Sequence, residues 1–378
     1  MNEGREGRAS GNRGRAGRRM DQAKKKRIAL VGGLVALALV ALAVLGLALA
    51  NTGLAGPIIP LSPLDEALKT DWKPKAPEIF YSPLSGLEQS PEAYLRRPLV
   101  VKVENAPEAR PQSGMDKADI VYEEPMEGYA VTRFALIYQS RGADPIGPVR
   151  SARRSDSQIV PQYQGFLAYS GAHDRVVRTL DWAGVSHASE LANETAFYRV
   201  GFRRAPHNLY SNTSLLWGLV KRKGEYKQVR LPSFGFKDEE TRAANAVRTI
   251  RIDFGTITKV RWEYDRRSNS YLRFQSGSAH TDRATGRQLA ARNLVLMHVT
   301  QEVLPFAEDV AGSQALQHNL LGTGKATIFL DGKRINGKWT SSKKRPPIFT
   351  DASGKKVLLN RGQIWIEVVA PRNTVQIG

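Results

Sequence analysis

A run of closely spaced arginines follows a Gly-Pro turn in the middle of the chain, and residues 147–156 read GPVRSARRSD. A helix beginning near Ser151 would place free backbone N–H groups beside these side chains, and together they would hold a phosphate or carboxylate. Arginine suits such oxyanions because its planar guanidinium binds them bidentately. We therefore predict an anion-binding site formed by Arg150, Ser151, Arg153 and Arg154. The alternative is a solvated basic face of a helix.

Polar side chains also cluster in two segments that follow strand-like stretches. Residues 104–114 read ENAPEARPQSG, where two prolines and a glycine favour an irregular loop, and such loops commonly carry ligand contacts. In the second segment, Glu123, Glu124 and Glu127 are close enough in sequence to act as acid and base or to bind a divalent cation. Arg133 lies in an otherwise apolar predicted strand, where a charge requires a partner. The alternative is a structural role for both segments, with Arg133 in an ion pair with Glu123 or Glu127.

Two histidines complete the set of candidates. His173 follows the stretch GFLAYSGA and His207 lies in RRAPHNLY, and a position in a polar loop favours a functional role for each. No HExxH, GxSxG, Walker or GxGxxG motif in its proper context is present. The sequence therefore predicts no particular reaction, no cofactor and no metal. The candidate pocket residues are Asn105, Arg110, Gln112, Glu123, Glu127, Arg133, His173, His207 and Asn208.

The elements that must position these residues are short. Apolar patterns predict strands at 99–103, 118–122, 131–138 and 165–170, and helices at 174–183 and 214–223. These elements predict a mixed α/β domain over residues 84–230. A linker is predicted near 231–240.

The rest of the chain has a different pattern. Residues 260–264 and 271–275 flank the polar segment DRRSNS and predict a β-hairpin, and further strands are predicted at 294–299, 326–330, 338–340, 356–359 and 364–369. The pairs Asp331-Gly332 and Asn336-Gly337 predict turns between them. We predict a mostly antiparallel β domain over residues 241–378, packed as a barrel or sandwich. The predicted fold class is therefore α+β.

A strongly apolar stretch precedes both predicted domains. Residues 28–50 carry no charge and, at ~1.5 Å per residue, are long enough to cross the ~30 Å hydrocarbon core of a bilayer. The basic residues at 24–27 keep the N-terminus in the cytoplasm by the positive-inside tendency. We predict a disordered basic leader at 1–27, a transmembrane signal anchor at 28–50 and a Pro-rich tether at 51–83. A signal peptide cleaved after Ala50 is the alternative.

Charge and cysteine content narrow the possibilities. The formal net charge is +20, which favours anionic partners such as phosphate-bearing polymers or lipid headgroups. Export from the cytoplasm and the lack of interleaved aromatic residues argue against nucleic acid as a binding partner. The chain has no cysteine, so disulfides, thiol nucleophiles and a lipid-modified cysteine are excluded for this sequence. We expect any membrane anchor to be the peptide itself.

Several segments carry a resemblance to a known family. They include ENAPEARPQSGMDKADIVYEEPMEGYAVTRF at 104–134, IGPVRSARRSD at 146–156, RAPHNLY at 204–210 and, later, GTGKATIFLDGK and GQIWIEV. Together they resemble the DUF3048 family of YerB-like bacterial envelope proteins, which are commonly lipoproteins. The resemblance implies a two-domain extracytoplasmic protein of unassigned activity. Its recurring positions match Asn105, Arg110, Gln112, Arg133, Arg150, Arg153, His207 and Asn208.

Two functions remain as hypotheses for a single-pass cell-membrane protein with both domains outside the cell. The first is an envelope protein that binds an anionic wall polymer or a protein partner through the arginine-rich loop. The second is an envelope hydrolase or transferase acting on phosphodiesters or glycans, in which the arginines stabilise charge and His207 or Glu123 acts as acid and base. A deep pocket with a titratable group of shifted pKa beside the arginines would favour the enzyme.

Overall fold

The computed structural model describes residues 79–308 and 312–378. The elements of the first part are β1 (Phe80–Tyr81), β2 (Glu88–Gln89), α1 (Pro91–Leu95), β3 (Leu99–Glu104), β4 (Ile120–Pro125), β5 (Thr132–Tyr138), α2 (Asp156–Gln162), β6 (Phe166–Tyr169), α3 (Asp174–Trp182), β7 (Ser186–Ser189), β8 (Tyr198–Arg199), β9 (Leu209–Tyr210) and α4 (Thr213–Arg222). Single 3-10 turns occur at Pro107–Ala109, Met115–Lys117, Glu127–Tyr129, Glu190–Ala192 and Glu194–Ala196.

The second part consists of strands. They are β10 (Thr249–Asp253), β11 (Lys259–Asp265), β12 (Ser270–Gln275), β13 (Ser278–Ala279), β14 (Ala290–Ala291), β15 (Asn293–His298), β16 (Gln301–Ala307), β17 (Gln314–His318), β18 (Gly322–Leu330), β19 (Lys333–Ser342), β20 (Arg345–Asp351), β21 (Ile364–Val369) and β22 (Thr374–Ile377).

The predicted leader, the predicted anchor at 28–50 and most of the predicted tether lie outside the described residues. Among the helices that the structure describes, none is both long enough and apolar enough to cross a bilayer.

One ten-stranded sheet runs through both parts of the chain, in the order β20-β19-β18-β15-β21-β4-β5-β3-β6-β7. Strand β21 joins the two parts, because it pairs in parallel with β15 on one side and with β4 on the other. In this register Ile366 lies beside both Val295 and Tyr122. The predicted domain boundaries at 84–230 and 241–378 stay predictions, and the sheet is continuous across them.

Two layers cover this sheet, one on each face. A six-stranded antiparallel sheet of β10–β14 and β22 packs on one face, where Trp262 contacts Trp365 edge-on with ring centroids 4.9 Å apart. Helices α2 and α3 cover the other face with buried side chains that include Ile159 and Leu180. Because the strands are covered on both faces, β3, β4, β5 and β21 are buried along their whole length.

Most predicted elements of the first part are confirmed to within about two residues at either end, apart from β4, which extends to Pro125. The mostly antiparallel β character predicted for residues 241–378 is confirmed, but these strands do not form a separate barrel or sandwich, because β15 and β18–β21 belong to the ten-stranded sheet. Two other predictions are wrong. Asn336-Gly337 is not a turn but lies inside β19, where Gly337 pairs with Asp351 and a Cβ would lie 1.8 Å from the Thr350 carbonyl oxygen. Residues 356–359 form no strand, only bridges to Thr350 and Phe236.

Candidate functional site

A pocket of about 600 Å³ lies beside the arginine-rich loop. Six of the predicted site residues line it together, namely Glu127, Arg133, Arg150, Ser151, Arg153 and His173. Two acidic residues that the sequence analysis did not select, Glu104 and Glu308, also line it. Segments more than 200 residues apart in sequence therefore meet at one site.

The arginine-rich loop is extended, and its backbone is already engaged. Helix α2 begins at Asp156 and not near Ser151, so the predicted helix terminus at Ser151 is wrong. The Arg150 N–H donates to the Lys102 carbonyl oxygen over 3.0 Å, and the Arg153 N–H donates to the Asp156 carboxylate over 2.7 Å. These bonds fix the loop and use two of its N–H groups. We therefore expect an anion in the pocket to be bound mainly by the arginine side chains.

A buried triad of charged side chains stabilises the position of the loop. The Lys102 ammonium lies 2.6 Å from Glu124 Oε1 and 2.9 Å from Asp156 Oδ1, with all three side chains essentially inaccessible to water. Burial opposes the charge on Lys102, but the two carboxylates outweigh it and raise the Lys102 pKa. Because Asp156 also accepts the Arg153 N–H, the triad connects β3 and β4 to the start of α2.

Ion pairs set the charge around the pocket. Arg150 Nε lies 2.9 Å from Glu104 Oε1, and the other Glu104 oxygen lies 2.9 Å from His207 Nδ1. On the opposite side, Arg153 Nε lies 2.8 Å from Glu127 Oε2 and 3.5 Å from Glu308 Oε1. Two of the three pocket arginines are therefore paired with carboxylates.

Arg133 differs from its neighbours. It is 7% exposed, and its guanidinium donates over 3.1 Å to a neutral acceptor, the Ser151 carbonyl oxygen, while its buried Nε has no partner in the described part of the chain. The predicted ion pair with Glu123 or Glu127 is absent from the described residues, since those acids pair with Arg273 and Arg153. Burial, with repulsion from Arg153, lowers the Arg133 pKa to about 9.

Glu308 is the second unusual group in the pocket. Burial, together with the nearby Glu127 carboxylate, raises the Glu308 pKa to about 8, although Arg153 acts in the opposite direction. Glu308 is therefore largely protonated at neutral pH. With the ion pairs of Arg150 and Arg153 satisfied by Glu104 and Glu127, one positive charge is left in the pocket, that of Arg133. The arrangement can hold a single negative charge.

Other predicted residues form a buried polar network next to the pocket. Asn105 contacts Glu123, Thr132 and Gln275, and its side-chain oxygen accepts from Arg110 and Gln112. Glu123 also pairs with the buried Arg273 of β12 over 2.7 Å. These contacts satisfy the predicted residues internally. They connect the two parts of the chain and do not offer free groups to a ligand.

The remaining predicted residues have local roles. Arg154 turns away from the pocket and donates to Gln317 and Thr179. Asn208 accepts from Arg199 over 2.8 Å, and the imidazole of His173 accepts from the Arg175 N–H at the start of α3. Within residues 79–308 and 312–378, no group of three or more His, Asp or Glu side chains is arranged to hold a metal ion.

Comparison with known proteins identifies the family. A family described as a protein of unknown function, DUF3048, matches with its N-terminal domain at residues 84–227 and its C-terminal domain at residues 250–366. The chain belongs to the DUF3048 family. A Bacillus subtilis (strain 168) relative described as "Putative lipoprotein YerB" is 30% identical over 312 residues, which are 81% of this chain and 91% of that protein.

A solved structure also matches the chain. The crystal structure of the YerB protein from Bacillus subtilis matches with a TM-score of 0.69 and 28% identity, covering 79% of this chain and 99% of that one. The DUF3048 resemblance inferred from the sequence is confirmed. The family description assigns no activity, so the site must be interpreted from its own chemistry.

The sequence analysis did not select the pocket acids Glu104 and Glu308, and only Glu104 has a recognisable signal in the sequence. Glu104 ends the apolar strand LVVKVE, and a charge inside an apolar strand is the signal that singled out Arg133. The same reasoning would have selected Glu104 and Lys102. Glu308 follows a strand of mixed exposure and is brought to the pocket only by tertiary folding. Its neighbourhood in the sequence has no feature that marks it.

Proposed function

We propose that this DUF3048 protein binds a singly charged anionic group of an envelope polymer, a carboxylate or a phosphodiester, in the Arg133 pocket. One observation carries the proposal: Arg133 is a nearly buried cation that lines the pocket without a carboxylate partner. A buried charge lacking a partner is costly, and an anionic ligand would supply that partner. A planar guanidinium also suits oxyanions of this kind.

The location of the protein supports the choice of ligand. Its relative in Bacillus subtilis carries the description "Putative lipoprotein YerB", which is consistent with an envelope protein held at the outer face of a membrane. Residues 28–50 would anchor this chain in the same place as a single transmembrane helix. Wall polymers with phosphodiester or carboxylate groups are abundant in that space, and an acidic protein partner offers the same group.

Binding of a phosphodiester polymer to the purified full chain tests the proposal. We would measure affinities for poly(glycerol phosphate) and for neutral dextran by calorimetry. Arg133→Gln should weaken binding of the polyanion by about 10- to 100-fold, the range expected for charge-assisted hydrogen bonds. Lys344→Gln is the matched control, since it removes one exposed positive charge far along the chain in the turn before β20. Equal effects of the two substitutions would show that binding is only general attraction.

One observation favours the enzyme as a second candidate. Glu308, with a pKa of about 8, lies beside Glu127 and Arg153, and a protonated acid next to a carboxylate is a common feature of hydrolytic sites. In this reading Glu308 donates a proton to a leaving group and Glu127 activates water. Release of soluble fragments from wall polymer, followed by mass spectrometry, would test it. Glu308→Gln should abolish release but keep binding, and an inactive wild-type protein would rule the enzyme out.

A further inference from the structure

A second surface lies next to the pocket and combines arginines with one exposed and two half-buried apolar side chains. It surrounds a depression of about 340 Å³ lined by Arg154, Arg175, Arg178, Trp182, Leu304 and Phe306, among others, and we call these six residues the Trp182 surface. Trp182, at the end of α3, is 83% exposed. Burial of a tryptophan is normally favourable, so such exposure of this large side chain indicates a contact site.

Helix α3 supplies one half of this surface. Arg175, Arg178 and Trp182 follow one another at spacings of three and four residues, which places them on one side of the helix. Val176 and Leu180 are buried on the opposite side, against the sheet. The helix therefore presents a face of two arginines and an aromatic ring outward, as helices that lie at a membrane interface do.

The hairpin of β16 and β17 supplies the other half. The Phe306 ring lies 4.8 Å from the Arg175 guanidinium, and Leu304 borders the same depression. The neighbouring Val303 is 49% exposed. On its other side, Phe306 contacts the ring of His173, with centroids 5.4 Å apart, and His173 lines the Arg133 pocket. The Trp182 surface and the pocket therefore share a border.

Two arginines of the Trp182 surface contact neutral or aromatic side chains and not carboxylates. Arg154 donates to the neutral side chains of Gln317 and Thr179, and Arg175 stacks on Phe306. None of Arg154, Arg175 and Arg178 forms an ion pair with any acid in the described residues. Three cations beside an exposed indole and two apolar side chains are complementary to an anionic, partly apolar layer.

We propose that the Trp182 surface rests on an anionic lipid bilayer. Tryptophan prefers the headgroup level because its ring is apolar and its N–H is polar, and the guanidinium groups would bind lipid phosphates. An anchor at residues 28–50 would hold the domain near that bilayer, so even a weak contact would be populated. The contact would orient the molecule with its anion pocket next to the membrane. This inference does not depend on what the pocket binds.

Site-specific fluorescence can test the contact because the chain contains no cysteine. Ala183→Cys places a label next to Trp182, and Ala352→Cys, in an exposed turn after β20, is the control position. The full chain would be added to vesicles of phosphatidylglycerol or phosphatidylcholine that carry a headgroup-level quencher. We expect the label at 183 to be quenched in phosphatidylglycerol vesicles only, and the label at 352 to be quenched in neither.

Substitutions separate this contact from insertion of the apolar segment. In the Ala183→Cys background, each of Arg154→Gln, Arg175→Gln and Arg178→Gln should weaken the lipid-dependent quenching about fivefold, the effect of one basic residue near an anionic leaflet. Trp182→Ala should weaken it as well. Equal quenching in both lipids, or no loss in the arginine variants, would overturn the proposal. An emission change of the label at 183 on addition of an acidic protein without vesicles, together with no quenching by either vesicle, would also overturn it, because the surface would then be a protein-docking site.

Discussion

The guanidinium of Arg133 donates to the backbone carbonyl oxygen of Ser151 over 3.1 Å, so its hydrogen-bond partner is neutral. One strand away, the fully buried Lys102 lies between two carboxylates. These two buried cations are therefore of opposite kinds. Lys102 satisfies its neighbours, whereas Arg133 keeps its charge available to the pocket.

This contrast predicts different stabilities for two substitutions. Lys102→Met leaves Glu124 and Asp156 buried without a cation and should lower the free energy of unfolding by about 3–5 kcal/mol. Arg133→Met leaves no carboxylate without its partner and should change it by less than about 1 kcal/mol. Urea unfolding at pH 7 measures both values. Similar losses in the two variants would mean that Arg133 has a structural partner after all.

Glu104 provides a test of the electrostatics of the pocket. Its carboxylate lies 2.9 Å from Arg150 Nε and 2.9 Å from His207 Nδ1. Glu104→Gln removes a negative charge beside Arg150, so affinity for an anionic polymer should rise about threefold to tenfold. Salt titration provides the check, since the gain should shrink as ionic strength rises. An unchanged or reduced affinity would place the ligand away from Arg150.

The raised pKa of Glu308 predicts a pH dependence of stability. The folded protein holds a proton on Glu308 that the unfolded chain releases near the ordinary glutamate pKa, and the folded pKa is about 8. The contribution of Glu308 to the free energy of unfolding is therefore complete below about pH 4.5. It is lost as the pH rises to about 8, and the free energy of unfolding falls by at most about 1.4 kcal/mol per pH unit.

Glu308→Gln isolates this contribution. Glutamine imitates the protonated acid, so the variant should lack the decline in unfolding free energy between about pH 4.5 and 8. The measurement is urea unfolding at several pH values for both proteins. Because Glu127 lies next to Glu308, the transition belongs to the pair of acids. Parallel curves for wild type and variant would assign the titration to other groups.

Gly255 connects the second part of the chain to the pocket. Its φ is 155°, and a Cβ there would lie 1.7 Å from the Tyr129 carbonyl oxygen, on the segment that carries Glu127. Gly255→Ala should therefore lower stability by about 2–4 kcal/mol and also weaken anion binding. Gly286→Ala is the control, because its φ is also positive but no atom lies within 4 Å, and its cost should be about 1 kcal/mol.

The sequence identified local structure better than it identified partners. Strand β5 and helix α3 have local patterns of apolar residues, and both were predicted almost to the residue. Gly337 shows the limit, since Asn-Gly is a strong turn signal, yet the dipeptide lies inside a strand. There, pairing with β20 on one side and β18 on the other outweighs the local preference.

In the candidate site, too, the sequence identified polar residues but not the groups that they contact. Arg133 and the arginine-rich loop stood out because charges in apolar strands and clustered arginines are visible without a structure. Asn105 and Gln112 were selected by the same polarity, but folding turns them inward, towards each other. Glu308 was missed because its role depends on a neighbour 181 positions earlier in the sequence, Glu127. Which polar groups face a ligand is decided by tertiary packing, and one sequence does not reveal it.

The place of β21 in the sheet has a consequence for biogenesis. Residues Ile364–Val369 follow β4 by more than 200 residues in the chain, yet they fill the gap between β15 and β4. Until they arrive, β4 has an unpaired edge, and such edges promote aggregation. In an exported chain β4 would cross the membrane before β21 and would wait outside with this edge exposed. Folding should then be slow and dependent on quality-control factors, and a chain truncated near Leu359 should be degraded rather than accumulate.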